Sequence, residues 1–272
     1  MNSQHPQRPI LHNQTYVEIP DSINISPENH LFAFLKYTVG TIFGVLAFFW
    51  VFTAGIAYLV PYLPPSSEKW LAPIGESYIK SLREKKEIQE SSTYSALLSD
   101  LMRYVSPPPQ NAMHVYEGLG DTLNAYALPG GHIVLYQKLM GQLNDEDAKR
   151  FVLAHEMGHV YHRHSLQAMG EKVIFGLLIL PASVILPQAT GQLSSLLNVS
   201  SMQYSQAKEL EADRYAVTLL SKARYNPRAG IKVFQLLEAA NKNNKSDVPD
   251  FLKTHPPDAA RIAQIEALTQ RR

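Results

Sequence analysis

The run His155-Glu156-Met157-Gly158-His159 places two imidazoles four residues apart, with a carboxylate directly after the first. On an α-helix, residues four apart lie one turn above each other on the same face, so both rings can reach one metal ion. Glu156, turned about 100° from His155, can address a water on that ion. One helical turn thus offers two zinc ligands and a general base. The pattern alone is weakly specific, since at this chain's His and Glu frequencies it arises in on the order of two per cent of shuffled sequences.

A second element is needed, and Glu209-Leu210-Glu211-Ala212-Asp213 supplies it inside a helical pattern from about Ser200 to Ala223. Glu209 can complete a His, His, Glu set that leaves the fourth tetrahedral position to water. Asp213, one turn on, can accept a hydrogen bond from the distal nitrogen of a ligand imidazole and fix its orientation. Glu211 is two positions off, on another helix face, and is read as a packing or surface ion-pair residue. His162 shares a face with His155 but lies roughly 10 Å along the axis, too far to bind the same ion. His162 and His164 are therefore read as serving the helix C-terminus or its neighbours.

The elements around these residues follow from punctuation and period. Asn144 is read as the N-cap of the His155 helix, with Asp145, Glu146 and Asp147 in a first turn where negative charge suits the helix dipole. Before it, Met113 to Tyr116 and Asn124 to Leu128 are short and strand-like, and Gly130-Gly131 turns the chain into His132 to Tyr136. These segments predict a small antiparallel sheet with a hairpin. Beyond them the pattern is helical, broken by Asn241 to Asp247 and by Pro256-Pro257. Upstream, a mixed-charge helical stretch covers about Glu76 to Val105, with Arg83 to Glu87 as a solvated face, and ends before Pro107-Pro108-Pro109. The fold class expected is α+β, mainly helical with a minor sheet.

From Tyr37 to Val60 there are 24 consecutive residues without a charge. As a helix they reach ~36 Å, enough to cross a ~30 Å hydrocarbon layer with some tilt. The segment is longer than the apolar part of a signal peptide and follows a long, partly acidic leader, so it is read as a single transmembrane anchor. Gly40 and Gly44 form a GxxxG pair, which glycine-rich spans contain commonly and from which no dimer is read. The organisation expected is a disordered polar tail over 1–30, the anchor over 31–62, a proline-rich linker over 63–75 and a catalytic domain over 76–272. Val173 to Leu186 is apolar, but at 14 residues with Pro181 inside it falls short of a span. It is read as a buried core helix, with a lid or membrane-dipping segment as the alternative.

Composition narrows the function classes. Lys plus Arg number 25 against 24 Asp plus Glu, a formal charge of +1, which lacks the basic excess of a nucleic-acid binder. The charged fraction, 18%, lies below the roughly 25% usual for soluble domains and fits lipid contact. With no cysteine in the 272 residues, thiolate zinc sites and cysteine nucleophiles are excluded, and any metal must be held by His, Asp or Glu.

Together, His155-Glu156-Met157-Gly158-His159, Arg163-His164-Ser165 and Glu209-Leu210-Glu211-Ala212-Asp213-Arg214 resemble the membrane-associated zinc metallopeptidases related to HtpX, BepA and the CAAX prenyl proteases. Asn124-Ala125-Tyr126-Ala127-Leu128-Pro129-Gly130-Gly131 is similar to that family's substrate-side strand and turn, and Thr254-His255-Pro256-Pro257 resembles its late His-Pro loop. The resemblance extends from about Asn124 to Ile262. It implies a gluzincin-type domain with one Zn2+ on His155, His159 and Glu209, Glu156 as the base and Asp213 behind the ligands. In some relatives the loop histidine approaches the metal, so His255 is a candidate gate, with a solvent-facing loop residue as the alternative.

The activity so implied is peptide-bond hydrolysis by a zinc-activated water, without a covalent intermediate. Arg214, Tyr204 and His255 are each candidates to stabilise the oxyanion. Extended polypeptide, unfolded or membrane-associated, can pair with an edge strand over Asn124, Ala125, Tyr126, Ala127 and Leu128. An ordinary internal hairpin is the alternative there. The expected setting is quality control or processing of membrane or envelope proteins, with the catalytic domain extracytoplasmic on resemblance rather than on flanking charge. The rival is a zinc-containing chaperone-like or adaptor protein that holds unfolded clients, against which an intact Glu156 speaks.

Overall fold

The computed structural model describes residues 29–59, 72–109, 112–168, 203–243, 250–256 and 259–270. Residues 1–28 of the tail expected over 1–30, most of the linker and the segment Val173 to Leu186 lie outside the described residues, and residues 29 and 30 already belong to the start of a helix. The chain divides into two units, residues 1–50 and 51–272.

Asn29 starts helix α1 (His30–Leu59), which begins in the first unit and runs past its end at Trp50, by accepting hydrogen bonds on its Oδ1 from the backbone N–H groups of Leu31 and Phe32, at 3.0 and 3.3 Å. The stretch His30–Phe52 has a mean hydropathy of 1.8 and none of it is buried, so it is long and apolar enough to cross a membrane. Phe32, Phe43, Leu46 and Trp50 are all exposed, which is the surface expected where lipid rather than protein is the neighbour.

The second unit is built on a four-stranded sheet. Helix α2 (Ala72–Glu84) leads into strand β1 (Ile88–Glu90), and α3 (Ser92–Met102) follows, capped by Ser91. Strands β2 (His114–Gly118), β3 (Ala125–Leu128) and β4 (His132–Tyr136) come next. The sheet order is β1-β2-β4-β3. The expected hairpin is β3–β4, turned by Gly130 and Gly131 at φ of 86° and 84°, a left-handed region that suits glycine. The α+β class holds, but the sheet is mixed rather than purely antiparallel, because β2 and β4 run parallel. Residues 119–124 carry the chain past the place of β4 to the far edge, so the hairpin returns β4 alongside β2.

Alternation places Val115, Ala125, Ala127, Ile133 and Leu135 in the main core. Tyr116, Tyr126, Leu128 and Val134 lie in a second core with Ile79 and Leu82 of α2. The main core is completed by α4 (Gln137–Gln142), α5 (Glu146–Tyr161), α6 (Gln206–Lys222), α7 (Ala229–Asn243), α8 (Asp250–Thr254) and α9 (Ala259–Gln270). The cap of α5 falls one residue later than expected: Asp145, not Asn144, accepts from Asp147 N at 2.9 Å. At its other end Arg163 takes a left-handed φ of 59°, and residues 164–168, again helical, run against the outer side of β3.

Candidate metal centre

Helix α5 buries its whole central stretch, Phe151 to His159, so His155, Glu156 and His159 enter the site on a packed, rigid element. Helix α6 lies against α5 and presents Glu209 and Asp213 from one face, one turn apart, both buried. The end of α8 and the loop after it add His255, also buried. His155, His159, Glu209 and His255 each offer a ligand atom within 4.8 Å of all the others.

The separations test what ion such a group fits. The two Nε2 atoms of His155 and His159 are 3.0 Å apart. His155 Nε2 lies 3.4 Å from Glu209 Oε2, and His159 Nε2 lies 3.5 Å from Glu209 Oε1. His255 Nδ1 is 3.4 Å from His155 Nε2 and 3.0 Å from Glu209 Oε1. A tetrahedral ion with N and O ligands about 2.0–2.1 Å away holds its donors about 3.3 Å apart. Three imidazoles and a carboxylate at these spacings therefore could hold zinc.

Both oxygens of Glu156 are buried without a hydrogen-bond partner, and Oε1 is 3.6 Å from His255 Nε2. A buried carboxylate with free lone pairs costs stability unless a ligand uses it. Burial pushes the Glu156 carboxyl up from its ordinary value, against the pull of His255 and His155. A raised carboxyl takes up a proton more readily than a free one, as a group that accepts and returns a proton must. Glu209 goes the other way: burial opposes its charge, but His255 and His155 outweigh that and hold it well below the carboxylate range. His159, enclosed and beside other imidazoles, is depressed well below its ordinary value, chiefly by burial. For His155, burial disfavours the cation, yet Asp213 and Glu209 win and lift it to about 9.

The surrounding contacts orient the rings. Asp213 Oδ1 lies 2.9 Å from His155 Nδ1. His159 Nδ1 meets His164 Nδ1 at 2.9 Å, and His164 Nε2 meets Glu211 Oε2 at 3.2 Å. This imidazole-to-imidazole link escapes the sequence, where His164 belongs to the helix end; the turn at Arg163 brings it back under His159. Glu211 is half-exposed and also pairs with His162 at 3.1 Å, consistent with a surface ion pair. Arg261, fully buried, contacts Asp213, Glu209 and the loop carbonyls, and no local pattern marks it beforehand.

Two of the three oxyanion candidates border the site. Tyr204 stacks on His159 with ring centroids 4.0 Å apart, and its hydroxyl is 3.0 Å from Ser165 Oγ. His255 is fully buried among the ligand atoms, which excludes the solvent-facing alternative. Arg214 is not brought to the site. It follows Asp213 by one position, so the helix turns it about 100° away to an exposed face, where it reaches Gln264 at 3.5 Å.

The segment Asn124, Ala125, Tyr126, Ala127, Leu128 forms the edge of the sheet, yet all five residues are buried. Tyr136 N donates to Asn124 O, so Asn124, Tyr126 and Leu128 bond toward β4 while Ala125 and Ala127 turn their backbone groups outward. Two of those outward groups are already engaged: Ala125 N donates to Asn124 Oδ1 at 2.9 Å, and Ala127 O accepts from Ser165 Oγ at 3.0 Å.

Residues 89–269 match the family described as Peptidase family M48. The mitochondrial metalloendopeptidase OMA1 of Schizosaccharomyces pombe is 32% identical over 147 residues, covering 53% of this chain and 43% of that protein. The beta-barrel assembly-enhancing protease of Escherichia coli (strain K12) is 28% identical over 209 residues, 70% of this chain and 42% of that protein. The OMA1 of Saccharomyces cerevisiae is 29% identical over 160 residues, covering 56% and 45% respectively. The chain thus spans less than half the length of these curated relatives.

Proposed function

The chain belongs to peptidase family M48, and we propose that it is a membrane-anchored zinc endopeptidase that uses Glu156 as its base. The observation that carries this is that His155, His159, Glu209 and His255 each bring a ligand atom within 4.8 Å of the others, with the unpartnered Glu156 carboxylate 3.6 Å from the His255 ring. His155, His159 and Glu209 would hold one Zn2+, with Asp213 and His164 fixing the two α5 rings. When bound there, zinc supplies a Lewis acid for the scissile carbonyl and makes water acidic near neutrality. Glu156 takes the proton from the attacking water and returns it to the leaving amine, which its raised pKa favours.

His255 acts as a gate. Its Nδ1 lies among the other three donors, 3.4 Å from His155 Nε2 and 3.0 Å from Glu209 Oε1, so a water would have room beside them only when the His-Pro loop withdraws. Substrate polypeptide pairs along the outer edge of β3, replacing Ser165 on the Ala127 carbonyl. Of the oxyanion candidates, Tyr204 and His255 stand close enough to serve once the loop has moved. The apolar helix and the relatives' names, a mitochondrial metalloendopeptidase and a beta-barrel assembly-enhancing protease, support processing or quality control of membrane or envelope proteins, and the extracytoplasmic placement of the domain rests on the sequence resemblance alone.

Metal analysis of the full chain, paired with digestion of an unfolded casein-type substrate, tests the proposal. One zinc per chain and cleavage abolished by a chelator and restored by zinc are expected. Zinc without cleavage would favour a chaperone-like holder of clients, and the absence of stoichiometric metal would favour an adaptor.

A further inference from the structure

Arg261 sits in the first turn of α9, where the helix dipole disfavours a cation, and it is 1% exposed. A buried guanidinium is tolerated only when its donors are matched. Its Nε and Nη2 donate to Asp213 Oδ2 and Oδ1 at 2.6 and 2.8 Å, a two-pronged carboxylate grip. Its Nη1 lies 2.8 Å from Glu209 Oε2 and donates to the carbonyls of Pro256 and His255 at 3.2 and 3.4 Å. Its flat face covers the Phe234 ring at 4.5 Å.

Every polar partner of this group leads to a metal-site atom. The Asp213 oxygen that accepts from Nη2 is also the one 2.9 Å from His155 Nδ1. The Glu209 oxygen beside Nη1 is the one 3.4 Å from His155 Nε2. The carbonyls belong to the loop that carries His255. We infer that Arg261 is the positioning residue of the metal centre: one guanidinium fixes the third ligand, the acid behind the first ligand and the backbone of the gate. This rests on the zinc assignment proposed above. The fork geometry explains why arginine rather than lysine is present, since an ammonium cannot span Asp213 and Glu209 in fixed directions.

The test is zinc affinity, measured on the full chain by competition with a chromogenic chelator, together with the melting temperature of the zinc-stripped protein. Arg261→Met should weaken zinc binding about 10- to 100-fold, the usual cost of losing an outer-shell partner, and Arg261→Lys should recover only part of it. In an Asp213→Asn background the Arg261→Met effect should shrink, because both act through His155. Arg150→Met removes an arginine that pairs with Asp147 and covers Tyr225 away from the centre. That control should lower the melting temperature and leave zinc affinity unchanged.

A folded Arg261→Met or Arg261→Lys protein with wild-type zinc affinity overturns the inference, even if it melts earlier, because a helix staple alone would behave so. If Arg261→Met does not fold, the lysine variant decides by the same criterion. Failure of the zinc proposal is separate, since it would show as a wild-type chain that does not bind zinc.

Discussion

Gly158 of α5 meets Ala212 of α6 so closely that a methyl group on Gly158 would lie 3.0 Å from the Ala212 Cα and 3.2 Å from its carbonyl oxygen. This contact sets the distance between the helix carrying His155 and His159 and the helix carrying Glu209. Gly to Ala inside a helix ordinarily stabilises by about 1 kcal/mol. Here the backbone of α6 must retreat, and overpacking of this kind costs about 1–3 kcal/mol. Gly158→Ala should therefore lower the melting temperature and loosen zinc retention together. A variant at least as stable as wild type, with full zinc, would show that the helix spacing is not set here.

Replacing Glu209 by Ala removes the one carboxylate among the four donor side chains. Zinc retention after dialysis against a weak chelator should drop sharply, along with turnover. Full zinc occupancy in that variant would mean that the third ligand is another residue.

His255→Ala should raise turnover per bound zinc and weaken zinc binding, because the space of its ring beside the other three donors then opens to water. Steady-state cleavage normalised to metal content measures this. A zinc-replete variant without turnover would instead give His255 a direct part in the chemistry.

Ser165→Ala frees the outward carbonyl of Ala127. Loss of one buried hydrogen bond should cost about 1 kcal/mol, while KM for an extended peptide should fall, since the peptide no longer displaces the serine. An unchanged KM with a lowered melting temperature would reduce Ser165 to a structural tie.

Lys232 bonds Asp145, the cap of α5, and holds its carboxyl below the ordinary value. Because the folded pKa is depressed, this pair stabilises the fold above the unfolded carboxylate value and loses effect as pH falls through the folded value. Lys232→Met should lower the melting temperature at about pH 6, with the difference from wild type shrinking near about pH 3. A difference constant over that range would separate Lys232 from the Asp145 charge.

What the sequence made legible was local. His155, Glu156 and His159 sit on one turn, and Glu209 and Asp213 on another, so helical period alone predicts which members of each set share a face. The edge position of Asn124 to Leu128 followed from motif resemblance. What pattern could not supply depended on tertiary return: β4 slipping between β2 and β3, the turn at Arg163 that brings His164 to His159, and Arg261 reaching Asp213 across 48 residues. Arg214, adjacent to Asp213 in sequence, lies on a different and exposed helix face.

The most direct test of the central assignment is zinc content and unfolded-substrate cleavage measured side by side for the wild type and Glu156→Gln. Both proteins should carry one zinc per chain, and only the wild type should cleave. Equal turnover in the glutamine variant, with zinc bound, would contradict the assignment of Glu156 as the group that activates water.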